Sequence, residues 1–157
     1  MQVTDHEMLL WEMHITEGEN NFQKKQYLCA LGHYRQAINL SEFLVYGYHD
    51  VEAAINAMVT SYHSLADLYL KANETELAEC ELNHVYEKLA QMLKDQESRK
   101  DADISKRAAL LTQVSRCFFA LQSHRKEYGV YANSAGSTPS FSHTAMTVCD
   151  SPRAFKC

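Results

Sequence analysis

The sequence predicts an all-α protein built from antiparallel helical hairpins, about five to six helices in all. Both prolines, Pro139 and Pro152, lie in the last fifth of the chain, and the first 128 residues hold only Gly18, Gly32 and Gly47 as glycines. Proline and glycine are the residues that most disfavour a helix interior, so their scarcity over that span leaves helices uninterrupted. Apolar residues recur at helical spacing along the same span. Turn and capping residues divide it into runs joined by short loops, which makes successive helices antiparallel neighbours.

Thr4-Asp5-His6-Glu7 has the capping-box pattern and predicts a first helix to about Lys24. Tyr27 to Tyr46 continues helical after a break near Lys25 and Gln26. Gly47-Tyr48-His49-Asp50 reads as a turn, with Asp50 as N-cap of a helix to about Ala72. Asn73-Glu74-Thr75-Glu76 places a capping residue three before a glutamate and predicts a helix to about Gln96. The polar run Asp95–Asp103 reads as a loop or frayed end, and Ile104 to about Arg125 as a fifth helix. From Gly129 the chain turns rich in Ser, Thr, Ala and Gly, so the organisation is a helical domain over 1–128 and a C-terminal tail over 129–157. That tail reads either as flexible or as anchored to the body by Val130, Tyr131, Phe141, Met146, Val148 and Phe155.

Length and charge narrow the function. At 157 residues the chain is long enough to bury a core of its own. A formal net charge of −5 argues against nucleic acid as a partner, because a nucleic-acid binder carries a basic face. No apolar run approaches the roughly 18 residues of a membrane span, and the start, MQVTDHEMLLWEMH, lacks a cationic segment followed by an apolar one. The reading is a cytoplasmic protein. Cys29, Cys80 and Cys117 fall inside helical patterns with no CxxC pair, and read as small buried hydrophobes in a reducing compartment.

Catalytic and metal chemistry is thinly represented. Glu81 and His84 form one ExxH pair on a helical face, half of what a di-iron bundle needs, with no second copy. His63 and Asp67 stand one turn apart and read as a polar pair in a groove rather than an acid–base couple. No GxSxG, HExxH or phosphate-binding glycine loop occurs. The expectation is therefore no enzyme and no cofactor.

An internal repeat carries more information. Gly18 is followed by Asn21, Ala30, Tyr34 and Ala37, and at the same offsets Ala66 is followed by Tyr69, Ala78, Leu82 and Val85. Ser115 begins a decayed third copy with Phe118, Glu127, Tyr131 and Ser134. The anchors 18, 66 and 115 stand 48 and 49 residues apart. A small residue inside the first helix of a hairpin lets the second cross closely, an aromatic one turn on fills the space beside it, and a small residue early in the second helix repeats the approach.

On these residues the chain resembles the tetratricopeptide repeat family. GENNFQKKQYLCALGHYRQAI is similar to that family's Gly–aromatic–Tyr–Ala–Tyr–Ala series, and LADLYLKANETELAECELNHV to its Leu-small-x-x-Tyr…Ala…Ala series. The resemblance spans residues 11–127, with a longer period than the family's usual 34 or so. Lys25 or Asn73 stands where the family has a glycine, and no proline closes a repeat. The fold it implies is a short right-handed array of stacked hairpins whose first helices line a concave face.

On that face the resemblance places Glu12, Ile15, Glu19 and Phe22 from the first copy, Thr60, His63, Asp67 and Leu70 from the second, and Arg116 and Phe119 from the third. The function it implies is an adaptor or scaffold that binds a protein or peptide. Chaperone-type members hold a carboxylate with Lys, Arg and Asn, whereas this chain offers Ile15, Glu19, His63 and Asp67 at those places, so no carboxylate clamp is expected. A secretion-type chaperone of the same class is the alternative, and a metal-binding or catalytic helical bundle is the alternative of a different kind. The third copy's uncovered face leaves room for a homodimer.

Overall fold

The computed structural model describes residues 5–129, and within them the chain is entirely helical. The helices are α1 (Asp5–Gln23), α2 (Tyr27–Val45), α3 (Val51–Lys71), α4 (Thr75–Glu97) and α5 (Ile104–Tyr128). None of these helices is long and apolar enough to cross a membrane. Thr4, the tail readings beyond Gly129, and the third-copy positions Tyr131 and Ser134 lie outside the described residues.

The starts of α3 and α5 follow from single carboxylates. Asp50 accepts a hydrogen bond from the Ala53 N–H at 2.9 Å. Asp103 accepts from the N–H groups of Ser105 and Lys106 at 2.9 and 3.3 Å. Each satisfies amides that the first turn of a helix leaves without intrahelical partners. Asn73 does not cap α4: Glu74 occupies the N-cap position and its side chain makes no capping bond.

Asn73 instead closes α3, in a turn that the first hairpin repeats. Lys25 and Asn73 have φ of 59° and 60°, the left-handed conformation that ends a helix. After each, an amide reaches back five residues, Gln26 N–H to Asn21 C=O and Glu74 N–H to Tyr69 C=O, both at 2.8 Å. The two turns are the same structure 48 residues apart, at positions 25 and 73.

Each helix packs on the next along the chain, and α3 also touches α1 and α5. Thus α1, α3 and α5 form one layer with α2 and α4 behind them, a stack of helical hairpins. The first two copies of the repeat supply its contact points: Gly18, Ala30, Tyr34 and Ala37 are buried, as are Ala66, Tyr69, Ala78, Leu82 and Val85. The third copy does not follow, because Ser115 is exposed. The buried stripe of α5 runs through Leu110, Gln113, Cys117, Leu121 and His124, so Cys117 is the small residue that faces the core.

Polar pairs fix the helices' relative positions. Trp11 Nε1 on α1 donates to Ser61 Oγ on α3 at 2.8 Å, and Ser61 donates to its own helix at the Ala57 carbonyl. Gln113 Nε2 on α5 donates to Asn56 Oδ1 on α3 at 2.6 Å. Arg125 Nε on α5 donates to Glu79 Oε1 on α4 at 2.7 Å.

Candidate functional site

The residues assigned to the concave face divide by depth. Glu12 and Glu19 of α1, Thr60 and Asp67 of α3, and Arg116 and Phe119 of α5 are exposed, while Ile15, Phe22, His63 and Leu70 are half-buried. Ile15, Phe22 and Leu70 pack against the core cluster from this side, and the Phe22 ring lies 5.9 Å from that of Tyr27.

Two carboxylates from different helices converge on one phenol. Burial pushes the Tyr34 hydroxyl up to about 12, and the negative charges of Glu19 and Asp67 push the same way. Glu19 of α1 and Asp67 of α3 therefore share a neighbourhood above the Gly18 approach. Asp67 itself is held above the ordinary carboxylate range by burial. By its accessible surface the residue as a whole is exposed, so this burial is partial. Among the described residues nothing donates to Asp67 or forms an ion pair with it.

On the α5 side, His63 Nε2 lies 3.8 Å from Cys117 Sγ. Burial pushes the His63 imidazole down, and the Arg116 guanidinium adds to this. The Cys117 thiol is pushed up to about 11 by burial, with Arg116 opposing. A thiol raised this far stays protonated at neutral pH, so the pair lacks the thiolate a nucleophilic cysteine requires. Phe119 stands apart from this group. Its ring contact is with Phe118 at 5.9 Å, and Phe118 lies 6.1 Å from Tyr86 of α4. Glu19 and Asp67 thus both act on Tyr34, Arg116 acts on His63, and Phe119 contacts Phe118.

Metal ligands do not cluster: among the described residues no three of His, Cys, Asp and Glu gather in metal-binding geometry. Glu81 and His84 pair with each other at 3.8 Å, and His14 and His33 meet nitrogen to nitrogen at 3.1 Å. Of the cysteines read as buried thiols, Cys117 agrees with the sequence reading, while Cys29 and Cys80 differ from it. Cys29 is free and exposed, Cys117 is free and buried, and Cys80 is disulfide-bonded.

A pocket of about 470 Å³ on the other side of the molecule escapes the sequence reading. It lies between α2, α3 and α4 and is lined by Arg35, Glu42, Tyr62, Glu81, His84 and Lys88, among others. Tyr62 donates to Glu42 at 2.5 Å, Lys88 pairs with Glu42 at 3.1 Å, and Arg35 Nη2 donates to Tyr69 Oη at 3.4 Å. Burial first, then the Glu42 bond, raises the Tyr62 phenol, and the Glu81 bond raises His84. Most of its charge is spent on internal pairs. Only three-dimensional proximity joins Glu42 to Lys88, which is why no local motif announces the pocket.

A family model matches residues 9–156, from the second turn of α1 through the whole of α5 and beyond. The chain belongs to the family described as Protein of unknown function (DUF2753). No curated protein matches it, and no solved structure does. In this DUF2753 chain, Asp67 is the candidate-face carboxylate that burial raises and that no cation meets among the described residues.

Proposed function

We propose that this chain is a protein- or peptide-binding adaptor, and that its ligand is a segment carrying a Lys or Arg beside apolar side chains. The observation that carries the reading is Asp67, a partly dehydrated carboxylate with no cation against it among the described residues. Glu19 lies in the same neighbourhood and adds negative charge. Folding normally leaves such a carboxylate either paired or fully in water, since removing water from a charge costs free energy. A guanidinium or ammonium from a ligand would supply the missing partner with a charge-assisted hydrogen bond. Half-buried Phe22 and Leu70, at equivalent places in successive hairpins, offer apolar ground on either side. An amphipathic helix or extended segment presents that combination.

The test is a binding screen of immobilised full-length chain against amphipathic peptides that carry Lys or Arg beside Leu or Phe. The expected result is a peptide whose binding is lost in a Glu19→Gln, Asp67→Asn variant and weakened by added salt. Equal binding by that variant would sink the assignment of this face.

A further inference from the structure

Cys80 of α4 is disulfide-bonded, and the other cysteines among the described residues, Cys29 and Cys117, are both free. The chain has five cysteines, so the sulfur joined to Cys80 belongs to Cys149 or Cys157. Both follow α5, in a stretch that the family model includes as far as residue 156. That stretch is therefore part of the family's common unit.

The described helices leave a place for it. Gly18 is buried against Tyr34 of α2 and Ala66 is buried in its turn, whereas their counterpart Ser115 is exposed, with no helix after α5 among the described residues to cover it. Nearby, Leu111 and Phe118 are two turns apart on α5 and 47% and 42% exposed. The Phe118 ring lies 6.1 Å from that of Tyr86 on α4, so an apolar strip runs along the boundary of the two helices. Residues 130–148 suit that strip: they hold no Asp, Glu, Lys or Arg, and they bring Val130, Tyr131, Phe141, Met146 and Val148.

Reach is sufficient. Arg125 Nε donates to Glu79 Oε1 at 2.7 Å and His124 Nε2 stands 3.1 Å from the Thr75 carbonyl oxygen, so the end of α5 lies against the first turns of α4, which carry Cys80. Cys149 follows Gly129 by 149 − 129 = 20 residues. Extended chain of that length spans up to about 66 Å, whereas a path from Gly129 back along α5 to Leu111 and out again is about 54 Å. Cys157 has 157 − 149 = 8 residues more.

We propose that residues 130–157 turn back over the Leu111, Phe118 and Tyr86 strip and are latched there by a disulfide from Cys80 to Cys149 or Cys157, which reduction opens. The bond forms by thiol–disulfide exchange with a small disulfide such as oxidised glutathione. One cysteine thiolate attacks it and releases one thiol; the second cysteine displaces the other from the mixed disulfide. The cysteine pair gives up two electrons and two protons, and both appear in the two released thiols. The latch selects this segment over a second copy of the chain, because a segment tied to Cys80 stands beside the strip in every molecule.

Tryptic mapping of the full chain, equilibrated in a glutathione redox buffer and then blocked at its free thiols, tests the bond. Cleavage after Lys71 and Lys88 isolates Cys80, and cleavage after Arg153 separates Cys149 from Cys157. The expected product is peptide 72–88 joined to one of those two and freed by reductant. Cys80 recovered as a blocked thiol, joined to Cys29 or Cys117, or joined to another chain in a mixture of isotope-labelled and unlabelled protein would overturn the proposal. Limited proteolysis tests the covering. Sites within 130–157 should be cut about tenfold faster after reduction or in Cys80→Ser, with the helical circular dichroism unchanged. Phe118→Ser should speed cleavage severalfold in the oxidised protein while its disulfide stays intact. Equal rates in oxidised and reduced protein, or an oxidised Phe118→Ser protein cut no faster than the wild type, would overturn the covering of the strip.

Discussion

Gly18 of α1 and Tyr34 of α2 meet so closely that a Cβ on Gly18 would stand 2.5 Å from Tyr34 Cε1 and 2.7 Å from Cδ1. Real Cβ atoms do not come that near another carbon, and Tyr34 is only 2% exposed, so its ring has no free space to swing into. The glycine is what allows α1 and α2 to cross at this distance.

Gly18→Ala therefore sets two effects against each other. Alanine favours a helix interior by up to about 1 kcal/mol over glycine. Overpacking a buried contact costs about 1–3 kcal/mol. The clash wins here, and the expected outcome is a net loss of about 1–2 kcal/mol in urea unfolding. Combining it with Tyr34→Leu should recover part of that loss, since the shorter side chain vacates the ring's position. A Gly18→Ala variant more stable than the wild type would show that the two helices are free to move apart.

The turn between α1 and α2 supplies a test of opposite sign. Lys25 adopts φ of 59°, where a side chain costs about 1 kcal/mol that glycine does not incur. Lys25 is exposed and its side chain covers no core surface. Lys25→Gly should raise the urea midpoint slightly, a stabilisation of up to about 0.5 kcal/mol after the added chain entropy of glycine is counted. Asn73, at the equivalent turn, should gain less, because asparagine tolerates this conformation better than lysine.

These two turns show what the sequence could and could not disclose. The repeat was legible because Gly18, Ala30 and Ala37 recur as Ala66, Ala78 and Val85, and burial of small residues leaves a compositional trace. The role of Asn73 was not, because asparagine serves both as an N-cap and as a left-handed helix terminator, and only backbone geometry separates the two uses. Ser115 misled for a related reason: small residues suit both close approach and an exposed face. Among site residues, Glu19 and Asp67 hold equivalent places in the repeat, one residue after Gly18 and Ala66. The Tyr62–Glu42–Lys88 network did not, since its members come from three helices and share no periodic relation.

Protonation of His63 gives the fold an acid-sensitive component. Its imidazole is half-buried beside Cys117, with Arg116 as the nearby charge, and its folded pKa lies below the unfolded 6.5. As pH falls below that value the unfolded chain takes up the proton first, so stability drops. His14, lowered by burial and by His33, acts in the same direction. His84 acts oppositely: raised by Glu81, it contributes fully below 6.5 and loses that contribution as pH rises through its folded pKa. Urea midpoints measured from about pH 7 down to about pH 5 should fall, and His63→Asn should flatten that limb. An unchanged acid limb in the variant would assign the sensitivity to other groups.

Asp67 links stability to the proposed binding. Its folded pKa is raised above 3.8 by burial, so the ionised carboxylate present at neutral pH is disfavoured by the fold, and the penalty fades as pH falls through the folded pKa. Asp67→Asn keeps the shape and removes the charge, so the free protein should become more stable at neutral pH. Because the residue is exposed and solvent screens its charge, the gain is modest, a few tenths to about 1 kcal/mol. The same substitution removes the acceptor charge for a ligand's Lys or Arg and should weaken peptide binding about tenfold or more. A merely structural aspartate would not give this pairing: had it stabilised the fold through an internal cation, its loss would lower stability and binding together. Paired measurements of urea midpoint and peptide affinity on the one variant separate the two cases, with higher stability and lower affinity as the signature of a residue kept charged for a partner.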